Sequence, residues 1–169
     1  KSKESTILGS FINNDYNALT IGINNLGLPC ISLNHKYTFY NNKEYTYFED
    51  TQNPNAYSGS EELCANTDIT NNRGVSDGKW HHIAFVSDLS TTGGKLTIYI
   101  DGFKSSEKDT TFESNFKCGI TSQIYNNYNS FYIGRDHRIN KSFEGHMSNL
   151  KIWDKPLSQS EINSSIKSL

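Results

Sequence analysis

No run of hydrophobic residues in this chain is long enough for a membrane-spanning helix or a signal-peptide core; the apolar stretches break off after a few residues. Basic blocks are missing too. The 16 Lys and Arg and the 18 Asp and Glu are spread along the sequence and sum to a formal charge of −2. Nothing is therefore gathered to neutralise a row of phosphates, which argues against nucleic acid as a partner. There are only three cysteines, Cys30, Cys64 and Cys118, with no Cys-x-x-Cys spacing, so a structural zinc site is not expected. Catalytic signatures are absent as well. Glycosidases on all-β scaffolds need a carboxylate pair flanking the bond, typically from a Glu-x-Asp-x-x-Glu strand. Here Glu49-Asp50 and Glu61-Glu62 are merely adjacent acids in polar connections. No Gly-x-Ser-x-Gly elbow and no His-Glu-x-x-His helix occurs. The chain reads as a non-catalytic one.

What it has is aromatic and polar. Aromatic residues are 12% of its 169 positions, with ten Tyr and nine Phe, and apolar residues are 34%. That suffices for the core of one domain, and nothing suggests a second. Serine and asparagine are the two commonest residues, and Asn pairs such as Asn24-Asn25, Asn41-Asn42 and Asn126-Asn127 fall between apolar runs. Asn caps turns and tolerates left-handed backbone, so these pairs mark loops. The bias is also what an AT-rich genome, such as a malaria-type parasite's, would produce.

Period-two and short apolar runs predict strands over 5–12, 18–24, 29–33, 37–40, 45–48, 80–87, 95–100, 131–133 and 145–153. The run Trp80-His81-His82-Ile83-Ala84-Phe85-Val86 is apolar on both faces, as a central strand is. Lys95 to Ile100 alternates more cleanly, with Leu96, Ile98 and Ile100 on one face. Asp101-Gly102 follows at once and predicts a tight hairpin, because both turn positions want positive φ. Residues 50–75 are mostly polar and read as a long surface excursion, a place where binding sites tend to sit. Ser158-Gln159-Ser160-Glu161 is a capping box and predicts one short helix over 159–167. The fold class is all-β: a two-sheet antiparallel jelly-roll sandwich with a short C-terminal helix.

Several motifs in order resemble the laminin-G/pentraxin superfamily, of concanavalin A-like type. They are Asp77-Gly78-Lys79-Trp80-His81-His82-Ile83-Ala84, Gly94 to Gly102, Phe131-Tyr132-Ile133-Gly134, Gly145 to Trp153, and Pro156-Leu157-Ser158 with Glu161-Ile162. Residues 75–162 cover the matching half; the first half matches more weakly, through Leu8-Gly9-Ser10, Asp15-Tyr16 and Ala18 to Ile21. Family members usually open with a strand carrying an aromatic-x-Trp pair. The sequence starts after that point, which suggests one domain spanning 1–169, cut from a larger protein and lacking its first strand.

The resemblance implies an extracellular adhesive or lectin-like module. It would bind a glycan or protein receptor through rim loops, often with Ca²⁺. The structural alternative is a domain that packs against sister domains of its parent protein. For Ca²⁺, the resemblance puts Asp15 at the ligand position, with Asp109 the nearest second acid. A pentraxin-like double-calcium site would need oxygen donors just after the Ile-Gly strand, where Arg135 and Arg138 stand instead, leaving only Asp136 and Glu144. Arg135, His137, Arg138 and Lys141 form a basic cluster that could receive an acidic glycan; the plainer reading is a solvated loop. Tyr40, Tyr45, Tyr47 and Phe48 could stack on sugars, but in strands they are expected to fill the sandwich. His81 and His82 point to opposite faces of a strand, cannot share a metal, and are expected to be packed and hydrogen-bonded. The sequons Asn140-Lys141-Ser142 and Asn163-Ser164-Ser165 permit glycosylation in a secreted context. In that context one disulfide is expected, with Cys64 to Cys118 preferred because both lie in polar connections.

Overall fold

The computed structural model describes residues 5–12, 16–40, 43–46, 57–66, 74–88, 94–109, 129–135 and 142–167. In chain order the elements are β1 (Ser5–Ile12), β2 (Tyr16–Ile23), β3 (Pro29–Tyr40), β4 (Lys43–Thr46), β5 (Tyr57–Cys64), β6 (Ile83–Asp88), β7 (Lys95–Ile100), β8 (Phe103–Asp109), β9 (Asn129–Ile133) and α1 (Gln159–Lys167). One sheet runs β4-β3-β2-β1-β9, with β5 also paired to β3; the other runs β6-β7-β8. Every strand pair is antiparallel. This is the expected all-β, two-sheet architecture with one short helix.

Side-chain alternation explains where the core sits. Leu96, Ile98 and Ile100 share one face of β7 and are 0–2% exposed, meeting Leu8, Leu19 and Ile31 of the larger sheet. Each such side chain contributes about 1.5–3 kcal/mol on burial. Thr97, on the opposite face of β7, is buried as well, so this strand is covered on both sides.

The β7–β8 hairpin turns as its sequence requires. Asp101 has φ 53° and Gly102 φ 82°, the two positive angles of a type I′ turn. Gly102 has a second reason to be glycine: a Cβ there would stand 2.5 Å from Asn163 Oδ1 of α1. The helix docks against this turn, with Gln159 Nε2 donating to the Gly102 carbonyl and Ile162 buried beneath. Its capping box is formed. Ser158 Oγ accepts from the Glu161 amide, while a Glu161 carboxylate oxygen accepts from the Ser158 amide at 2.7 Å.

Four expectations need correction. Residues 57–64 are not irregular: they form β5, paired with β3 from Tyr37↔Tyr57 to Cys30↔Cys64. Its sequence, YSGSEELC, has almost no apolar alternation to announce a strand; the backbone ladder along the long β3 carries it. The disulfide joins Cys30 to Cys64 rather than Cys64 to Cys118, because that register sets the two cysteines directly opposite each other. Cys118 lies outside the described residues. Trp80 is not part of the central strand, since β6 begins at Ile83 and the indole is 69% exposed. Lastly, 145–153 forms no strand. The chain just before it is tied by the Phe143 amide to the Gly134 carbonyl and by a bridge between Thr6 and Ser142, but 145–153 joins no ladder, and Asn149 within it takes a left-handed φ of 54°. Its apolar side chains Leu150, Ile152 and Trp153 are 50–58% exposed.

Candidate functional site

The loop before β6 is fixed by a charged clamp. His81 Nδ1 lies 2.8 Å from Asp101 Oδ2, and His81 Nε2 lies 2.9 Å from Asp77 Oδ1. Asp101 also accepts from the His82 amide at 2.9 Å, and its own amide donates to the His82 carbonyl at 2.8 Å. Asp77 further accepts from the Lys79 amide. An imidazole between two carboxylates donates to both only when protonated. Burial by itself would lower the His81 pKa, but the hydrogen bonds to Asp101 and Asp77 outweigh it and hold the group above its ordinary value. The same bond from His81, with the Lys79 amide, pulls Asp77 down. His82 behaves oppositely. Burial lowers its pKa, and its Nδ1 is buried without a hydrogen-bond partner. Of the two histidines expected to be hydrogen-bonded through their rings, only His81 shows both ring nitrogens engaged.

The clamp presents Trp80. The indole stands beside the His146 ring, with centroids 6.4 Å apart and planes 38° to each other. His146 is followed by Met147, whose Cε packs where a Cβ on Gly134 would lie 3.4 Å away. Next to Gly134, the Arg135 guanidinium sits 4.7 Å above the Tyr132 ring, a cation–π contact. Trp80 with His146, Met147 with Gly134, and Arg135 with Tyr132 make a run of neighbouring contacts, the rim, that joins the loop before β6 to residues 132–147.

The chain matches a laminin-G family model described as the concanavalin A-like lectin/glucanases superfamily, over residues 31–163. It belongs to that superfamily. A curated relative, the Sushi, von Willebrand factor type A, EGF and pentraxin domain-containing protein 1 of Rattus norvegicus, is 32% identical over 96 residues. That match covers 57% of this chain and 3% of the rat protein, so the chain spans only a small piece of the relative. Among solved structures, an S-layer domain-containing protein from Clostridium thermocellum aligns with a TM-score of 0.40 at 16% identity, covering 96% of this chain and 63% of that one.

On this concanavalin A-like scaffold the expected site residues separate. Arg135 is exposed and belongs to the rim. His137, Arg138 and Lys141, the other three of the basic cluster, lie outside the described residues, as do Asp15, Asp136, Tyr47 and Phe48. Tyr40 and Tyr45 fall on β3 and β4, opposite Lys43 and Thr38 respectively. Asp109 ends β8 with an 84% exposed side chain, 3.8 Å from the Lys95 ammonium. Glu144 is exposed. Among the described residues, one group of three His, Cys, Asp or Glu donors gathers closely enough to hold a metal: Cys30, Glu62 and Cys64. Two of its three members are bonded to each other as a disulfide.

Sequence reading missed the clamp and the exposed tryptophan. The clamp's signal was present, since Asp77 and His81 are four apart in a turn-rich motif and Asp101 is the first residue of the Asp-Gly turn. Trp80 was hidden because an apolar residue beside a β-run reads as core.

Proposed function

We propose that this chain is a non-catalytic, extracellular recognition module that binds a glycan or a protein receptor through its rim. The observation that carries the reading is Trp80, a large aromatic held 69% exposed by a charged loop clamp instead of being folded into the core. Exposed Trp and Arg beside a rigid sheet are the side chains that anchor binding partners. Superfamily membership supports the same reading. His137, Arg138 and Lys141, which follow Arg135 in sequence, are proposed as further ligand-binding residues. The two carboxylates of the clamp beside Trp80, Asp77 and Asp101, are both committed to His81, which favours recognition over hydrolysis. Among the described residues no helix is long and apolar enough to cross a membrane. Calcium is part of the reading, held by Asp15 and Asp109. An exposed carboxylate at a strand end suits a hard cation, and Lys95 is its competitor.

A second reading is favoured by the exposed Phe103, Ile133, Leu150 and Ile152, 50–69% open to solvent. Exposed apolar side chains of this size suit a domain that packs against sister domains of a longer parent protein, if they gather on one face. A glycan array run beside a pull-down with those sister domains separates the two. Glycan or receptor binding lost in Trp80→Ala and Arg135→Ala supports the module; capture by sister domains alone supports the structural role.

A further inference from the structure

The clamp that holds the Trp80 loop can also let it go. His81 Nδ1 stands 2.8 Å from Asp101 Oδ2 and Nε2 stands 2.9 Å from Asp77 Oδ1, so the ring fills both bonds only with a proton on each nitrogen. Remove one proton and one carboxylate faces a lone pair. The two are not equally able to yield. Asp101 sits in the β7–β8 turn with a positive φ and is tied to His82 twice, accepting from its amide at 2.9 Å and donating its own amide to the carbonyl at 2.8 Å. Asp77, among the described residues, has only its neighbour Lys79 besides the ring: the amide at 3.0 Å and the ammonium at 3.7 Å. A Cβ placed on Gly78 would meet no described atom within 4 Å, so this turn stands clear of the body of the fold. Nδ1 therefore keeps the last proton for Asp101, and Asp77 is the partner released.

Trp80 lies between Lys79 and His81 and is 69% exposed, so the order of its indole follows the loop that carries it. The charged neighbours sort by their effect. Asp101 and Asp77 act on His81, whose pKa burial lowers but whose bonds to them raise it further. Asp77 itself is pulled down, first by the bond from His81, and stays ionised. His82 is lowered by burial, with Lys151 adding to it, and is already neutral where His81 changes. His146 stands beside the indole, 6.4 Å away between centroids. We propose that Asp77, His81 and Asp101 form a proton-operated latch: closed, it holds Trp80 in place, and opened as His81 loses its proton, it frees residues 77–80 and loosens the rim. Its use in recognition rests on the rim reading above, whereas the latch itself needs no partner to be observed.

The test uses the 169-residue protein carrying Trp153→Phe, in which Trp80 is the one tryptophan left. Time-resolved fluorescence anisotropy follows the motion of Trp80 from about pH 6 to about pH 9, while ¹⁵N signals of the His81 ring show which nitrogen loses its proton. The fast, nanosecond part of the anisotropy decay should grow at least about twofold. Its midpoint should lie above 6.5 and match that of His81, with Nε2 giving up the proton. His81→Gln should leave the indole mobile at both ends of the range. Asp77→Asn keeps an oxygen for the Lys79 amide but removes a charge that favours the imidazolium, so both midpoints should fall together. Unchanged far-ultraviolet circular dichroism shows each variant folded. Equal indole motion at both ends of the range would overturn the latch and leave the rim reading standing, since a fixed Trp80 is still exposed. Proton loss from Nδ1, or a mobility midpoint unmoved by Asp77→Asn, would overturn it too. So would a pH-dependent change that persists in His81→Gln, which would belong to His146. The rim reading fails separately, on binding that Trp80→Ala leaves intact.

Discussion

His81 and Asp101, twenty positions apart in sequence, meet at 2.8 Å, so the loop bearing Trp80 is fastened to the turn of the β7–β8 hairpin. Asp101 is held there with a positive φ by the turn itself, which leaves its carboxylate free to grip the ring and the His82 amide together. Rim geometry thus depends on a turn residue chosen for backbone reasons.

This coupling gives the protein a pH signature. His81's folded pKa is raised above 6.5, so its stabilisation is full below that value and is lost as the pH rises through the folded one. Asp77 is lowered, and its share is lost as the pH falls through its folded value, far into the acid range. His82, lowered by burial, works the other way and costs stability as the pH drops below 6.5. The difference between wild type and His81→Gln isolates the clamp. It should be about 1–2 kcal/mol near pH 6, discounted for the half-exposed Asp101, and shrink by pH 9. Denaturant unfolding at several pH values measures it; a difference that grows with pH contradicts the clamp.

Packing makes a sharper demand at Ile98, fully buried between the sheets. Ile98→Ala should cost about 2–5 kcal/mol, the range for large-to-small core changes. Gly74→Ala should be comparably damaging, since φ is +60° and a Cβ would sit 2.1 Å from the Gly27 carbonyl oxygen. Melting temperatures within a degree or two of wild type for both would contradict the core described.

The sulfur arrangement is checked by thiol titration. With Cys30 and Cys64 bonded across β3 and β5, native unreduced protein denatured in the absence of reductant should release one thiol, that of Cys118. Three thiols, or a Cys64–Cys118 peptide in a non-reduced digest, would contradict it. Bridging residues 34 apart should stabilise by about 3–4 kcal/mol on the chain-entropy account.

The proposed calcium site has a built-in competitor. If calcium bridges Asp15 and Asp109, it must displace the Lys95 ammonium from Asp109. Calcium at about 1–10 mM should raise the melting temperature, and raise it further in Lys95→Ala, by mass-action linkage. No rise in either protein would remove calcium from the account.

Much of the scaffold was legible because local chemistry and tertiary packing agree there. Residues 95–100 alternate in register with the face they bury, Asp101-Gly102 can hardly do anything but turn, and Ser158 to Glu161 caps the helix it begins. Tyr57–Cys64 was illegible because its pairing rests on backbone bonds to β3, which leave no trace in side-chain pattern. Leu150 to Trp153 misled for the opposite reason: its apolar residues stay half exposed, and the segment joins no ladder among the described residues. At the rim, Arg135 was readable as exposed charge. The Trp80 to His146 contact was not, because it joins residues 66 positions apart through folding alone.

The central claim is that the rim carrying Trp80 and Arg135 is the recognition surface. Its most direct test is the affinity of the 169-residue chain for whichever glycan or receptor it captures, compared among wild type, Trp80→Ala, Arg135→Ala and an exposed control, Lys167→Ala. The account predicts losses of about tenfold or more for Trp80→Ala and Arg135→Ala, with melting temperatures unchanged and the control neutral. Equal affinity across all four proteins would contradict it.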